Sequence, residues 1–176
     1  MASEDKIVYS NRWFTISERS SLVENQLYYV LNTLDYVSIF ARTIDKEVLL
    51  VRQFRPVVQD YTLEIPSGHV EHDKTPEEAA RQELLEETGF IADHVHFLGV
   101  RASDTGRLGN RIWFFFADGV TQQSESIEEG IEVVRCSMKE FFEFMKNGQI
   151  IQSFNLALVQ LAFLHGLLSV EEMITK

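Results

Sequence analysis

Three glutamates, Glu83, Glu86 and Glu87, stand close together within SGHVEHDKTPEEAARQELLEETGF, the stretch from Ser67 to Phe90. At about 100° per residue, a helix through this stretch gathers their side chains into an arc of roughly 100°. Like charges at that spacing repel by roughly 0.2–0.5 kcal/mol per pair. Arg81 falls outside the arc and is placed to pair with Glu77 or Glu78, one turn earlier. The three carboxylates therefore have no cation on their own helix. One reading is a solvated acidic face. The other is a seat for Mg²⁺ or Mn²⁺, hard cations that take oxygen ligands and bridge carboxylates to substrate phosphates. The loop Pro66-Ser67-Gly68 lets backbone come close, which makes the Ser67 carbonyl a further candidate ligand.

Strong local signals position that helix. Thr75-Pro76-Glu77-Glu78 has an N-cap threonine, a proline at the first helical position and a glutamate closing a capping box. Such a cap contributes on the order of 1 kcal/mol. Gly89 suits a left-handed residue that ends the helix after Thr88. Leu84 and Ala80, at the margin of the acidic arc, are expected to pack it on a sheet. Before the helix, Trp13–Arg19, Gln26–Asn32, Tyr36–Thr43, Glu47–Phe54 and Thr62–Ile65 are rich in β-branched and aromatic residues and read as strands. After it come strands at Val95–Arg101, Arg111–Ala117 and Ile131–Cys136. A second capping box at Ser137-Met138-Lys139-Glu140 opens a helix ending near Gly148. The apolar run Leu156–Leu168 reads as a third helix, with a short capped turn at Ser169–Glu172. This order predicts an α+β fold, or an α/β/α sandwich with a mixed sheet. With no repeat, low-complexity tract or linker, one domain over residues 1–176 is expected.

Composition narrows the partners. The net charge of 16 − 27 = −11 argues against nucleic acid, whose phosphates favour basic surfaces. A small anionic substrate stays compatible if divalent cations lie between the two sets of charges. No apolar run reaches the 18 or so residues of a membrane span, and MASEDKIVYSNRW lacks the apolar core of a secretory signal. The single cysteine, Cys136, excludes an internal disulfide and fits a reducing compartment, so a cytoplasmic protein is expected. Cys136 itself reads as a buried strand residue. The pairs His69/His72 and His94/His96 raise zinc, but no cysteine or further histidine completes a tetrahedral set.

Gly68, Glu83-Leu84, Glu86-Glu87, Gly89 and Phe90 resemble the Nudix box, with matching spacing from end to end. LLVRQFRPVVQDYTLEIPSG before it and EEGIEVVRCSMKEFFEFMKNGQI after it are similar to ADP-ribose pyrophosphatases and related nucleoside-diphosphate-sugar hydrolases. Two box positions depart: Lys74 stands where a glutamate is expected, and Gln82 where an arginine orients a neighbouring glutamate. Gln82 can still hydrogen-bond a carboxylate but brings no charge.

The resemblance implies a Nudix-type sandwich and hydrolysis of a diphosphate linked to another moiety. Divalent metal ions would neutralise the phosphates and activate water. It implies Glu83 and Glu87 as principal metal ligands, Glu86 as a third ligand or base, and the Ser67 carbonyl as an additional ligand. In this branch a glutamate on a later loop orients the water; Glu129 is the first candidate here and Glu128 the second. Arg55 resembles an arginine that contacts substrate phosphate, a task for which a planar fork of donors is suited. Glu64 either contacts substrate or braces its loop. Arg107 lies on a glycine-containing loop able to close over a phosphate or sugar. Trp13 resembles an N-terminal aromatic that stacks on the base. A homodimer, with strands in about residues 7–45 at its interface, is implied as well. The competing expectation is a catalytically weak Nudix-fold module that binds nucleotide sugars, for which Lys74 and Gln82 speak.

Overall fold

The computed structural model describes residues 6–20, 26–125 and 127–174, side chains of 173 and 174 excepted. The expected interface tract therefore includes residues 21–25, which lie outside the described residues. The chain opens with β1 (Lys6–Ser10), β2 (Thr15–Ser20) and β3 (Leu27–Asn32), paired antiparallel as a separate three-stranded sheet. It continues through β4 (Tyr36–Thr43), β5 (Val48–Arg55), β6 (Asp60–Glu64) and β7 (Ser67–His69) to helix α1 (Pro76–Thr88). After α1 come β8 (Phe90–Ile91), β9 (His96–Ala102), β10 (Arg111–Gln122) and β11 (Ile131–Cys136). The helices α2 (Met138–Lys146), α3 (Ser153–Leu164) and α4 (Glu171–Ile174) complete the order.

The second sheet is mixed. β10 runs parallel to β4 and antiparallel to β9, while β5 is antiparallel to both β6 and β11. Alternation along β4 and β10 sends side chains to two apolar layers. Val37, Ile39, Ala41, Phe115 and Ala117 meet Ala79, Ala80 and Leu84 of α1 on one face. Phe40, Ile112, Phe114 and Phe116 meet Phe141 of α2 and Leu158 and Ala162 of α3 on the other. A sheet covered on both sides reads as a nearly continuous apolar run, which accounts for IWFFFA in β10. The expected α+β sandwich with a mixed sheet is the architecture found.

Several boundaries differ from those expected. β1 was not anticipated; all five of its residues are exposed, so it has no buried face to leave a pattern. β10 continues past Ala117 to Gln122 through an irregularity between Asp118 and Val120, where Gly119 takes a φ of 71°. α3 starts at Ser153, three residues before the apolar run, and its N-cap Gln152 makes no side-chain capping bond. Among the described residues no helix is long and apolar enough to cross a membrane.

Candidate active site

Both ends of α1 are built as their sequence requires. Thr75 and Glu78 exchange side-chain and backbone hydrogen bonds in a complete capping box. Gly89 closes the helix at a φ of 77°, a left-handed conformation that costs a residue with a Cβ roughly 1–2 kcal/mol. With Ala79, Ala80 and Leu84 in the core, the helix is fixed in rotation and its acidic arc is aimed at β7.

The glutamates of that arc occupy three different environments. Glu87 is buried, and its Oε2 accepts a 2.9 Å hydrogen bond from the backbone amide of Ser67. Glu83 is half-buried against Gly68, where an added Cβ would lie 1.9 Å from Glu83 Oε1. Glycine at 68 is therefore what leaves room for this carboxylate. Glu86 is exposed, and its Oε1 accepts a 2.8 Å hydrogen bond from Gln82 Nε2. Gln82 thus orients the neighbouring glutamate without neutralising it. Arg81 pairs with Glu77 at 2.8 Å and does not reach the arc. Lys74 forms a 2.5 Å ion pair with Glu71.

Burial pushes the Glu83 carboxyl up to about 7, helped by repulsion from Glu86 and Glu128. Burial likewise pushes Glu87 up to about 8, against the lowering effect of the Ser67 amide. Ser67 contributes through this amide, while its hydroxyl bonds to Ser38 and to the Ile65 carbonyl and holds the loop closed.

On the neighbouring hairpin, Arg55 donates from Nε and Nη2 to the two oxygens of Glu64, at 2.8 and 2.6 Å. Glu64 is only 1% exposed and also accepts from the Thr62 hydroxyl. The carboxylate is the brace, and the guanidinium, one-third exposed, is what it holds out. Arg55 Nη1 is the nitrogen that neither bond uses. Tyr36 sits among these groups: Arg55, Glu64, Glu83 and Glu87 all act on its hydroxyl, which burial raises above its ordinary value.

The loop after β10 returns to α1. Gln123 and Ser124 donate backbone hydrogen bonds to the Gly89 carbonyl, and the Glu128 amide donates to the Glu86 carbonyl at 2.8 Å. This brings Glu128 close enough to raise the pKa values of both Glu83 and Glu87, whereas Glu129 lies one residue further round the turn. Two other candidates lie elsewhere. Arg107 stacks over the Tyr28 ring at 4.4 Å, against the N-terminal sheet. Trp13, expected to open a strand, is 65% exposed in the turn between β1 and β2, under the Arg12 guanidinium. His69 packs edge-on against Tyr36 at 4.5 Å. Cys136 is buried, its thiol pushed up to about 12 by burial.

Tyr36 escaped sequence reasoning because its place depends on register. β4 pairs with β7 so that Tyr36 faces His69 and Val37 faces Gly68, and no spacing rule encodes that pairing. Glu64 was assigned from resemblance, but its enclosure and its grip on Arg55 needed coordinates.

Among the described residues no set of three or more His, Cys, Asp or Glu side chains stands close enough to enclose a cation. Mg²⁺ is usually held by one or two carboxylates, waters and substrate phosphates, not by an all-protein cage. The buried Glu87 and half-buried Glu83 repel each other, with Glu86 and Glu128 near enough to add to that repulsion at Glu83, and this is a partial donor set of that kind.

A mixed sheet between helices, with an acidic helix against a glycine loop and a braced arginine, defines a family. Residues 33–154 match the model of the NUDIX domain, and the chain belongs to that family. It is 33% identical over 132 residues to the GDP-mannose pyrophosphatase of Yersinia enterocolitica, covering 69% of each chain. The methanol dehydrogenase activator of Bacillus methanolicus is 25% identical over 128 residues, covering 70% of this chain and 69% of that one. The ADP-ribose pyrophosphatase of Bacillus subtilis is 25% identical over 118 residues, covering 65% of this chain and 64% of that one. A crystal structure of an ADP compounds hydrolase superposes with a TM-score of 0.80 over 95% of both chains at 20% identity. That last likeness concerns the fold alone.

Proposed function

We propose that the protein is a divalent-metal-dependent pyrophosphohydrolase that cleaves ADP-ribose or a related nucleoside diphosphate sugar into a nucleoside monophosphate and a sugar phosphate. The observation that carries this reading is the buried Glu87 beside the half-buried Glu83, next to an arginine held out by Glu64. Glu83 and Glu87 would hold Mg²⁺ or Mn²⁺, with Glu86 and the Ser67 carbonyl as further ligands. When bound, the metal supplies charge neutralisation at the diphosphate and lowers the pKa of water. The chain's own residues do the rest. Arg55 offers its free Nη1 to a phosphate oxygen, and Glu64 keeps that guanidinium from wandering. The Ser67 amide orients Glu87. Glu128 would accept a proton from water near the helix; the tie of its amide to α1 supports it ahead of Glu129. The names of the pyrophosphatase relatives support this substrate class. We further propose one domain, a cytoplasmic location in keeping with the free Cys136, and a homodimer joined through the N-terminal sheet.

The test is incubation with Mg²⁺ and ADP-ribose, GDP-mannose, UDP-glucose, NADH or dGTP, followed by separation of the monophosphates. Release of AMP or GMP from a nucleotide sugar, abolished by chelation, is the expected result. A second reading, a binding module without turnover, is favoured by Gln82, whose uncharged amide occupies the place of an arginine beside Glu86. Tight binding across the panel with no product would establish that reading in place of the first.

A further inference from the structure

Lys74 and Gln82, the two positions at which the chain departs from the Nudix box, act on the same carboxylates. Gln82 Nε2 gives Glu86 Oε1 a 2.8 Å hydrogen bond but brings no charge. Lys74 Nζ lies 2.5 Å from Glu71 Oε2, and its side chain is 25% exposed, well covered for a loop lysine. The backbone fixes this pair. The Lys74 amide donates to the Glu71 carbonyl at 3.1 Å, and Thr75, directly after it, is locked as the N-cap of α1. The ammonium is thus tethered beside the acidic helix. Its hydrogen bond to Glu71 holds it above the ordinary lysine value, and Glu86 adds to that. On Glu83 it acts in the opposite sense: burial, Glu86, Glu128 and Glu71 all raise this carboxyl, and Lys74 lowers it.

An arginine at 82 would bring Glu86 a hydrogen bond and a positive charge together. Here the two properties sit on different elements, the bond on α1 and the charge on the loop before it. A glutamate at 74 with an arginine at 82 would sum to zero, whereas lysine with glutamine sums to +1. The surroundings of the acidic arc are therefore one charge less negative than the box implies. That charge treats two forms of the metal differently. It repels a bare divalent cation approaching Glu83 and Glu86. A divalent cation already paired with a diphosphate of two negative charges is close to neutral, and the ammonium leaves it almost unopposed.

We propose that the Lys74 ammonium supplies from the loop the charge that an arginine at 82 would carry, and makes the site select a metal–diphosphate complex over the bare cation. The proposal rests on the metal-site reading above. A lysine that merely staples the loop to Glu71 predicts the opposite sign, because its loss would loosen the wall against Glu83 and weaken metal binding.

Calorimetric titration of the full chain tests this without turnover. The probes are Mn²⁺ alone and Mn²⁺ paired with the α,β-methylene analogue of ADP-ribose, whose bridging carbon resists cleavage. Lys74→Met should bind bare Mn²⁺ about fivefold more tightly than the wild type, the order expected when one charge stops opposing a divalent ion through partly wet surroundings. Lys74→Arg should match the wild type. The gain should fade in about 1 M salt, where the Debye length is about 3 Å. Affinity for the Mn²⁺–analogue complex should stay within about twofold in all three proteins. Gln82→Arg should weaken bare Mn²⁺ binding by a similar fivefold, and Lys74→Met combined with Gln82→Arg should return to the wild-type affinity, since the charge has only been moved. The proposal is wrong if Lys74→Met binds bare Mn²⁺ no more tightly than the wild type, or if the combined variant behaves like Lys74→Met alone. A wild type that takes up Mn²⁺ in neither form would overturn the metal-site reading itself, and the proposal with it.

Discussion

Two carboxylates one helical turn apart, both taken largely out of water, destabilise a protein that has nothing to place between them. Glu83 and Glu87 keep their protons to about 7 and about 8 in the folded chain, well above an ordinary glutamate near about 4.3. From about pH 4.3 upward the unfolded chain therefore binds fewer protons than the folded one, and metal-free stability falls until both groups are ionised. Their contribution is complete below the unfolded value and gone above the folded ones. Thermal melts in chelator should accordingly show a lower Tm at about pH 8.5 than at about pH 5.5, and Glu87→Gln should flatten that slope. In the role of metal ligand proposed above, Glu87 would carry several kcal/mol of transition-state stabilisation, and the same variant should then lose at least about a hundredfold in turnover. A wild-type Tm that climbs through this window would show that the pair is not protonated as described. Gly68 gives a separate handle on Glu83. The methyl group of Gly68→Ala would occupy the position of the carboxylate, and only the end of a flexible side chain has to move. The fold should survive, with Mg²⁺ affinity down about tenfold, the usual cost of misplacing a ligand. Circular dichroism and a Mg²⁺ titration of activity separate the two effects.

At the scale of elements, α1 does more than carry carboxylates, because its C-terminal end anchors the loop bearing Glu128. Gly89 is the pivot: its φ of 77° needs glycine, and an added Cβ would lie 2.2 Å from the Ser124 carbonyl oxygen. Gly148 has a similar φ of 71° but open space around it. Gly148→Ala should cost about 1–2 kcal/mol for the left-handed conformation alone. Gly89→Ala should cost more, and should also lower kcat by displacing Glu128; urea unfolding and steady-state rates compare the two. Equal costs would mean that the loop does not depend on this contact. The ends of α1 were legible in the sequence because caps and a terminal glycine act locally. So were β4 and β11, which recur within a residue of their expected bounds. The exposed β1, the clasp of Glu64 on Arg55 and the approach of Glu128 were not. β1 has no buried face to leave a pattern, the clasp depends on the register of the β5–β6 hairpin, and the approach of Glu128 depends on segments far apart in the chain meeting, which residue spacing does not encode.

For the whole molecule, the three-stranded sheet β1–β3 poses the remaining physical question. One of its faces is occupied: Val30 is buried, the Tyr28 hydroxyl donates to the Gly106 carbonyl, and Asn32 Nδ2 donates to Ser17. On the opposite face, alternation along β3 places Leu27, Tyr29 and Leu31 together, with Ile16 and Glu18 as cross-strand neighbours. Leu27 is 58% exposed and Tyr29 45%, and Tyr9, paired with Ile16, is 51% exposed. A contiguous apolar face of this kind marks an interaction surface more often than a solvated one. A second copy covers it most economically, because a two-fold axis brings the same patch onto itself. Light scattering of the wild type should therefore give twice the 20.3 kDa chain mass, and the double variant Leu27→Glu, Tyr29→Lys should give the single mass. The change should also reach the active site. Leu31 bridges to Leu108, which lines the cavity beside Tyr36, so a sheet released from its partner should raise KM for a nucleotide sugar more than it lowers kcat. A wild type that is monomeric at micromolar concentration, with full activity, would remove the dimer and leave that face to another partner.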